Sequence, residues 1–99
     1  MDWTYSSTKK MQRLLKGLNK RAPSVYAEIL NRQQRIVADP DQGYSLSGDL
    51  REFRSYDFKH QGIAIRICYV CNERDAHIVF VYCGTRENFY KDVKNYLFH

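Results

Sequence analysis

Apolar residues recur at three-and-four spacing between positions 11 and 18, as Met11, Leu14, Leu15 and Leu18, while Lys9, Lys10, Gln12, Arg13 and Lys16 fall on the other side. That period predicts an amphipathic helix. Ser6, Ser7 and Thr8 stand just ahead of it as hydroxyl caps, and residues 2–5 read as a short strand before them. Pro23 suits the first turn of a second helix, whose stripe is Val25, Ile29, Leu30, Gln33, Ile36 and Val37 and which Asp39-Pro40 ends. Two helices with so short a link form an antiparallel hairpin, and its apolar faces need a sheet to cover.

From Gly43 the period changes. Residues 50–60, 62–71 and 77–83 read as three strands joined by Gln61-Gly62 and by the polar turn Asn72-Glu73-Arg74-Asp75. Links this short imply antiparallel neighbours. In the middle strand Ile63, Ile65, Ile67 and Tyr69 take one face and Ala64, Arg66, Cys68 and Val70 the other, so the isoleucines should meet the helix hairpin and Arg66 should point away. The third strand is apolar on both faces, with Ile78, Phe80 and Tyr82 against Val79, Val81 and Cys83. A last helix over 86–98, with Phe89, Val93, Tyr96 and Leu97 along one side, would shield the sheet's second face or await a partner. The predicted fold class is α+β: an N-terminal helix hairpin packed on a small antiparallel sheet, followed by a C-terminal helix.

At 99 residues, 43% hydrophobic and 14% aromatic, the chain is long enough for one core, and residues 1–99 are expected to form a single domain. Repeats, low-complexity tracts and Pro/Gly-rich linkers are absent. The first residues lack the apolar core of a secretion signal and no run approaches a membrane span, so the sequence predicts a cytoplasmic protein with no membrane partner. Sixteen lysines and arginines against eleven acids give a net charge of +5 and a pI near 9.2, which favours nucleic acid, an acidic protein or an anionic surface as partner. Cys68-x-x-Cys71 has the spacing of two metal ligands, but only Cys83 and scattered histidines remain to complete a site. Buried free thiols are the preferred reading, and neither metal nor cofactor is expected.

The chemistry-bearing residues lie between 48 and 90: G-D-L-x-x-F-R-S-Y, then a hairpin with Arg66, then G-T-R-E-N-F-Y, where a strand runs into a helix carrying Tyr90 one turn beyond Arg86. In this order, behind a short strand and two helices, the segments resemble the RelE/ParE superfamily of bacterial toxin-antitoxin toxins over nearly the whole chain. The resemblance implies an endoribonuclease that cleaves mRNA, typically in the ribosomal A site against rRNA. It also implies a cognate antitoxin that wraps around the toxin, with operator DNA bound only through the pair. Attack of a ribose 2′-hydroxyl on the adjacent phosphate would need no metal.

Carried over by position, Arg66 and Arg86 match the family's phosphate-holding arginines and Tyr90 its helix tyrosine. Guanidinium groups stay charged and grip phosphate through parallel donors; the phenol would stack on a base, orient the nucleophile or exchange a proton. If Gln61-Gly62 is a two-residue turn, Ser55, Asp57 and Lys59 share the Arg66 face with Asp57 opposite Arg66. A three-residue turn would bring Arg54, Tyr56 and Phe58 there instead. Relatives with strong cleavage often have basic residues where this chain has Ser55 and Asp57. Asp57 then acts as general base with Lys59 supplying charge, or activity is weak. Taken alone, Arg66 reads as the partner of an Asp57 salt bridge. Lys9, Lys10, Arg13, Arg54 and His60 are candidate RNA contacts, the helix cations being more often simply a solvated face. His99 is a further candidate acid. Two other readings stay open: a ParE-like inhibitor of DNA gyrase that cuts nothing, and a degenerate toxin that binds only antitoxin and operator.

Overall fold

A computed structural model of the chain describes residues 2–87 and 94–95. Its elements in order are β1 (Thr4–Ser7), α1 (Lys9–Arg21), α2 (Pro23–Ala38), β2 (Tyr44–Ser45), β3 (Arg54–His60), β4 (Ile63–Asn72) and β5 (His77–Thr85). The expected 86–98 helix lies mostly outside the described residues.

Thr8 begins α1 as expected of a hydroxyl cap, its side chain accepting the Met11 N–H, and Lys20 and Arg21 in the last turn suit the negative end of the helix dipole. Ala22 alone separates the helices, and Pro23 opens α2 where its missing N–H costs nothing. This hairpin carries the chain across one face of a five-stranded sheet, from β1 at one edge to β2 at the other; the order is β1-β5-β4-β3-β2. β1 runs parallel to β5, so the sheet is mixed, while the remaining neighbours pair antiparallel as predicted. Met11, Ile29 and Ile36 bury against Phe58, Ile65, Ile67, Tyr69, Ile78 and Phe80, each contributing about 1.5–3 kcal/mol through removal from water. Leu30, counted in the predicted stripe, stays exposed.

Three strand assignments need correction. The first strand begins at Thr4 rather than residue 2, because its partners on β5 start at His77. The predicted 50–60 strand begins only at Arg54; Gly48–Leu50 is a 3-10 turn opened by Gly48 at φ 65°, and Leu46 and Leu50 fold under the second face of the sheet. The faces of β5 also change partway. Tyr69 pairs with Phe80 but Cys68 with Tyr82, leaving Val81 as an extra residue, a β-bulge. Ile78, Phe80 and Cys83 therefore meet the helices, while Val81 and Tyr82 join Leu46, Leu50 and Cys68 on the second face.

Strand β2 is held from behind. The buried Tyr69 hydroxyl donates to the Pro40 carbonyl at 2.7 Å and accepts the Gly43 N–H at 3.1 Å, and Arg54 donates to the Gly43 carbonyl at 2.8 Å. A side chain at Gly43 would run into the Tyr69 hydroxyl and approach the Ser55 carbonyl at 2.8 Å, although its backbone, at φ −78°, suits any residue. Gly43→Ala should thus destabilise through overpacking and loss of the Tyr69 bonds, by about 2–3 kcal/mol in urea unfolding.

Candidate functional site

The second face of the sheet is apolar at one end and polar at the other. Gln61 and Gly62, both at positive φ (52° and 80°), make the two-residue turn that fixes the β3–β4 register, and Asp57 lies opposite Arg66. Tyr44 on the edge strand pairs with Ser55 and so points to the same face. The bulge at Val81 returns Gly84 to that face, opposite Arg66, and Arg86 follows two residues later, its backbone N–H bonded to the Ala64 carbonyl at 3.1 Å.

Asp57 is where these side chains meet. Its Oδ1 accepts from Arg66 Nε at 2.7 Å and from the Ser55 hydroxyl at 2.9 Å; its Oδ2 accepts from the Tyr44 hydroxyl at 2.6 Å and from Arg66 Nη2 at 3.0 Å. Arg86 Nε stands 3.6 Å from the same Oδ2. Arg66 Nη2 also donates to the Tyr44 hydroxyl at 2.7 Å. Arg66 is only 8% exposed, whereas the Arg86 side chain is 47% exposed. Burial by itself would raise the Asp57 carboxyl, but hydrogen bonds from Arg66, Tyr44 and Ser55 with the Arg66 charge outweigh it and hold the group at about 2. The Tyr44 phenol moves up, through burial and then through the bond it donates to Asp57.

A carboxylate this acidic, with both oxygens already bonded, is ionised throughout the physiological range and badly suited to take a proton. Of the two roles open to Asp57, holding arginines fits the geometry better than general base. Two guanidinium groups against one carboxylate leave a net positive charge on the face, and Arg86 is the exposed member that can meet an anion.

The other candidates are dispersed. Lys59 shares the Asp57 face two residues along β3 and is exposed. Arg54 is taken up by Gly43 and, at 3.8 Å, Asp41, and His60 Nε2 lies 3.0 Å from the Ser24 hydroxyl at the start of α2. Lys9, Lys10 and Arg13 are exposed on α1, in the layer on the opposite side of the sheet. Tyr90 and His99 lie outside the described residues. Cys68 and Cys71 point to opposite faces, and burial pushes the Cys68 and Cys83 thiols up to about 12; among the described residues no group of three His, Cys, Asp or Glu side chains could hold a metal ion. No described helix is long and apolar enough to cross a membrane. Tyr44 is the cluster member that the sequence reading left unassigned: a two-residue strand is too short to show a period, and its only signal was a tyrosine following Gly43.

A groove of about 290 Å³ opens elsewhere, between the helix hairpin and the Ile63 end of the sheet, lined by Leu14, Leu18, Val25, Ile29, Ile63 and Ile65. It is largely apolar, with Arg21 also in its lining, and opens on the helix side of the sheet rather than on the face of the Asp57 cluster.

Comparison with known proteins decides the family. Residues 6–94 match the profile of the ParE-like toxins of type II bacterial toxin-antitoxin systems. The chain belongs to this family. Among curated proteins none matches the ParE-like chain in sequence. Solved structures share its fold at low identity. They include the RelBE2 toxin-antitoxin complex of Mycobacterium tuberculosis (19% identity, 87% of this chain and 100% of that one, TM-score 0.70). The free E. coli RelE toxin carrying two arginine-to-alanine changes is another (11%, 98% and 100%, TM-score 0.71). So is the archaeal RelE-RelB complex of Pyrococcus horikoshii (18%, 88% and 98%, TM-score 0.58).

For this ParE-like chain the Asp57 pairing carries a pH signature. Its carboxyl falls from an ordinary 3.8 to about 2 on folding, so its contribution is complete above the ordinary value and is lost as pH drops through 3.8 towards 2. Urea midpoints of wild type and Asp57→Asn should therefore differ most at neutral pH, draw together below pH 3.8 and converge only as pH falls to about 2.

Proposed function

We propose that this ParE-like chain is a toxin that cleaves mRNA, on the ribosome and without a metal, and that a cognate antitoxin neutralises it, operator DNA being reached only through the pair. The observation that carries this reading is Arg86, an exposed guanidinium set beside a buried Asp57–Arg66 pair on an open sheet face. Arg86 binds the scissile phosphate and offsets the charge that builds on its oxygens as the 2′-oxygen attacks phosphorus and the bond to the 5′-oxygen breaks. Arg66 and Asp57 hold the face in register and position Arg86, while Lys59 adds positive charge along the strand. Tyr90, in the segment after Arg86, is assigned to orient the nucleophile or exchange a proton. The products are a 2′,3′-cyclic phosphate and a 5′-hydroxyl. The apolar groove beside Ile63 suits an amphipathic antitoxin segment.

One observation favours a second reading. Arg66 is engaged by Asp57 and Tyr44 rather than turned to solvent, as a chain with little or no nuclease activity would have it. Such a chain would act through protein contact, on gyrase or on antitoxin alone.

Induced expression separates these readings. Cleavage predicts translational arrest with cuts inside translated codons, and Arg86→Ala should relieve the arrest and lower the single-turnover rate about 10²–10³-fold. Arrest with DNA damage signals and intact mRNA would support gyrase poisoning, and no arrest at all the degenerate toxin.

A further inference from the structure

We propose that Tyr44 is a base-binding platform, stacking a nucleobase of the strand whose phosphate Arg86 holds; this rests on the RNA-cleaving reading above. Large apolar side chains that remain exposed among the described residues are few: Tyr5, Leu30, Tyr44 and Ile63. Tyr5 bonds Gln34 of α2 and meets Phe80 edge-on, Leu30 lies on α2, and Ile63 has the parity of the helix-facing isoleucines. Tyr44 is thus the member of this set on the cationic face. Tyr44 is 47% exposed as a residue, while its neighbours Ser55 and Arg66 are buried.

The exposure is not needed to satisfy the cluster. Asp57 already has bonds from Arg66 to both oxygens and from Ser55 to one of them, so the part of the ring left in solvent adds nothing to its pairing. What a tyrosine adds is a flat apolar surface whose orientation is fixed at its far end, the hydroxyl being held by Asp57 at 2.6 Å and Arg66 at 2.7 Å. A ring already ordered loses little side-chain entropy when a base lands on it. The Arg66 guanidinium carbon, 5.9 Å from the ring centroid, places positive charge near the aromatic system. Tyr44 and Arg86 also address one atom, Asp57 Oδ2, at 2.6 and 3.6 Å. A nucleotide with its phosphate on Arg86 therefore has its base within reach of the ring. The ligand class is single-stranded RNA, read through stacking, with tolerance for base identity.

The test measures affinity for a short single-stranded RNA with a 2′-O-methyl group at the cleavage position, free and in the A site of a programmed ribosome, across a salt series. Tyr44→Leu should weaken binding about 5–100-fold, the range for one stacked base, without changing the slope against salt. Tyr44→Phe keeps the ring and should stay within about threefold of wild type. On the same RNA made abasic, wild type and Tyr44→Leu should bind alike. Arg86→Ala, in contrast, should lower the salt slope by about 0.7, one phosphate contact. Equal losses for Tyr44→Phe and Tyr44→Leu, or a Tyr44→Leu loss that persists on abasic RNA, would assign Tyr44 to positioning arginines and overturn the platform. Arg86-dependent binding that Tyr44→Leu leaves unchanged overturns the platform alone. Absence of wild-type binding in both settings overturns the platform together with the nuclease reading.

Discussion

Arg66 and Arg86 meet on one carboxylate because β5 contains one residue more than its partner strand requires. Side chains along a strand alternate, so without the extra residue at Val81 the Ile78 and Phe80 side would continue through Tyr82, Gly84 and Arg86, and Arg86 would be directed at the helix hairpin. The bulge reverses the alternation and sends Arg86 to the Arg66 face. It is stabilised by what it buries, since Val81 and Tyr82 now both pack with Leu46, Leu50 and Cys68. Tyr82 folds back towards Gly84, where a Cβ would lie 2.6 Å from the phenol oxygen. Core packing at one end of the second face therefore fixes the chemistry at the other.

Within the cluster, burial decides which cation is committed and which is available. A guanidinium as enclosed as Arg66 must be paired, because removing one partner of such an ion pair leaves an uncompensated charge at a cost of about 3–5 kcal/mol. Asp57 and Tyr44 supply that pairing. Arg86 is under no such obligation: its contact with Asp57 is longer and half in water, so an arriving phosphate exchanges one anion for another without exposing a buried charge. An acid on this face is in this view the counter-ion that permits Arg66 to be there, and it lowers the net charge that the face offers to the RNA of the proposed function.

Periodicity made the helix hairpin legible, with its caps and its sheet-facing side, because α1 and α2 are long enough for a stripe to repeat. The β3–β4 register was narrowed to two choices, a two-residue or a three-residue turn at Gln61-Gly62, and the structure has the first. Features resting on a single residue were not legible. One extra position at Val81 leaves β5 apolar on both faces either way, and a parallel edge strand of four residues carries no mark of its direction. The site divided along the same line. Asp57 opposite Arg66 followed from the two-residue turn, one of the two left open, but whether that pair was buried and who completed it depended on Tyr44, brought in by the Gly43–Tyr69 contact from a strand too short to read.

The two groups of cations singled out in the sequence now have a spatial relation. Lys9, Lys10 and Arg13 lie on α1, on the helix side of the sheet, while Arg86 and Lys59 belong to the opposite face. Between them are a helix layer and a sheet, each roughly 10 Å thick. A short single strand lying along the Asp57 face does not reach around both layers to α1. For both groups to contact RNA at once, the RNA must be folded and large enough to present phosphates on two sides of the protein. Under the mRNA-cleaving reading proposed above, that requirement favours an rRNA-lined cavity over a free message and gives the helix cations to ribosome docking rather than to the cleavage step. On that reading the groups carry different salt dependences: α1 that of association with a ribosome, Arg86 that of the phosphate that reacts.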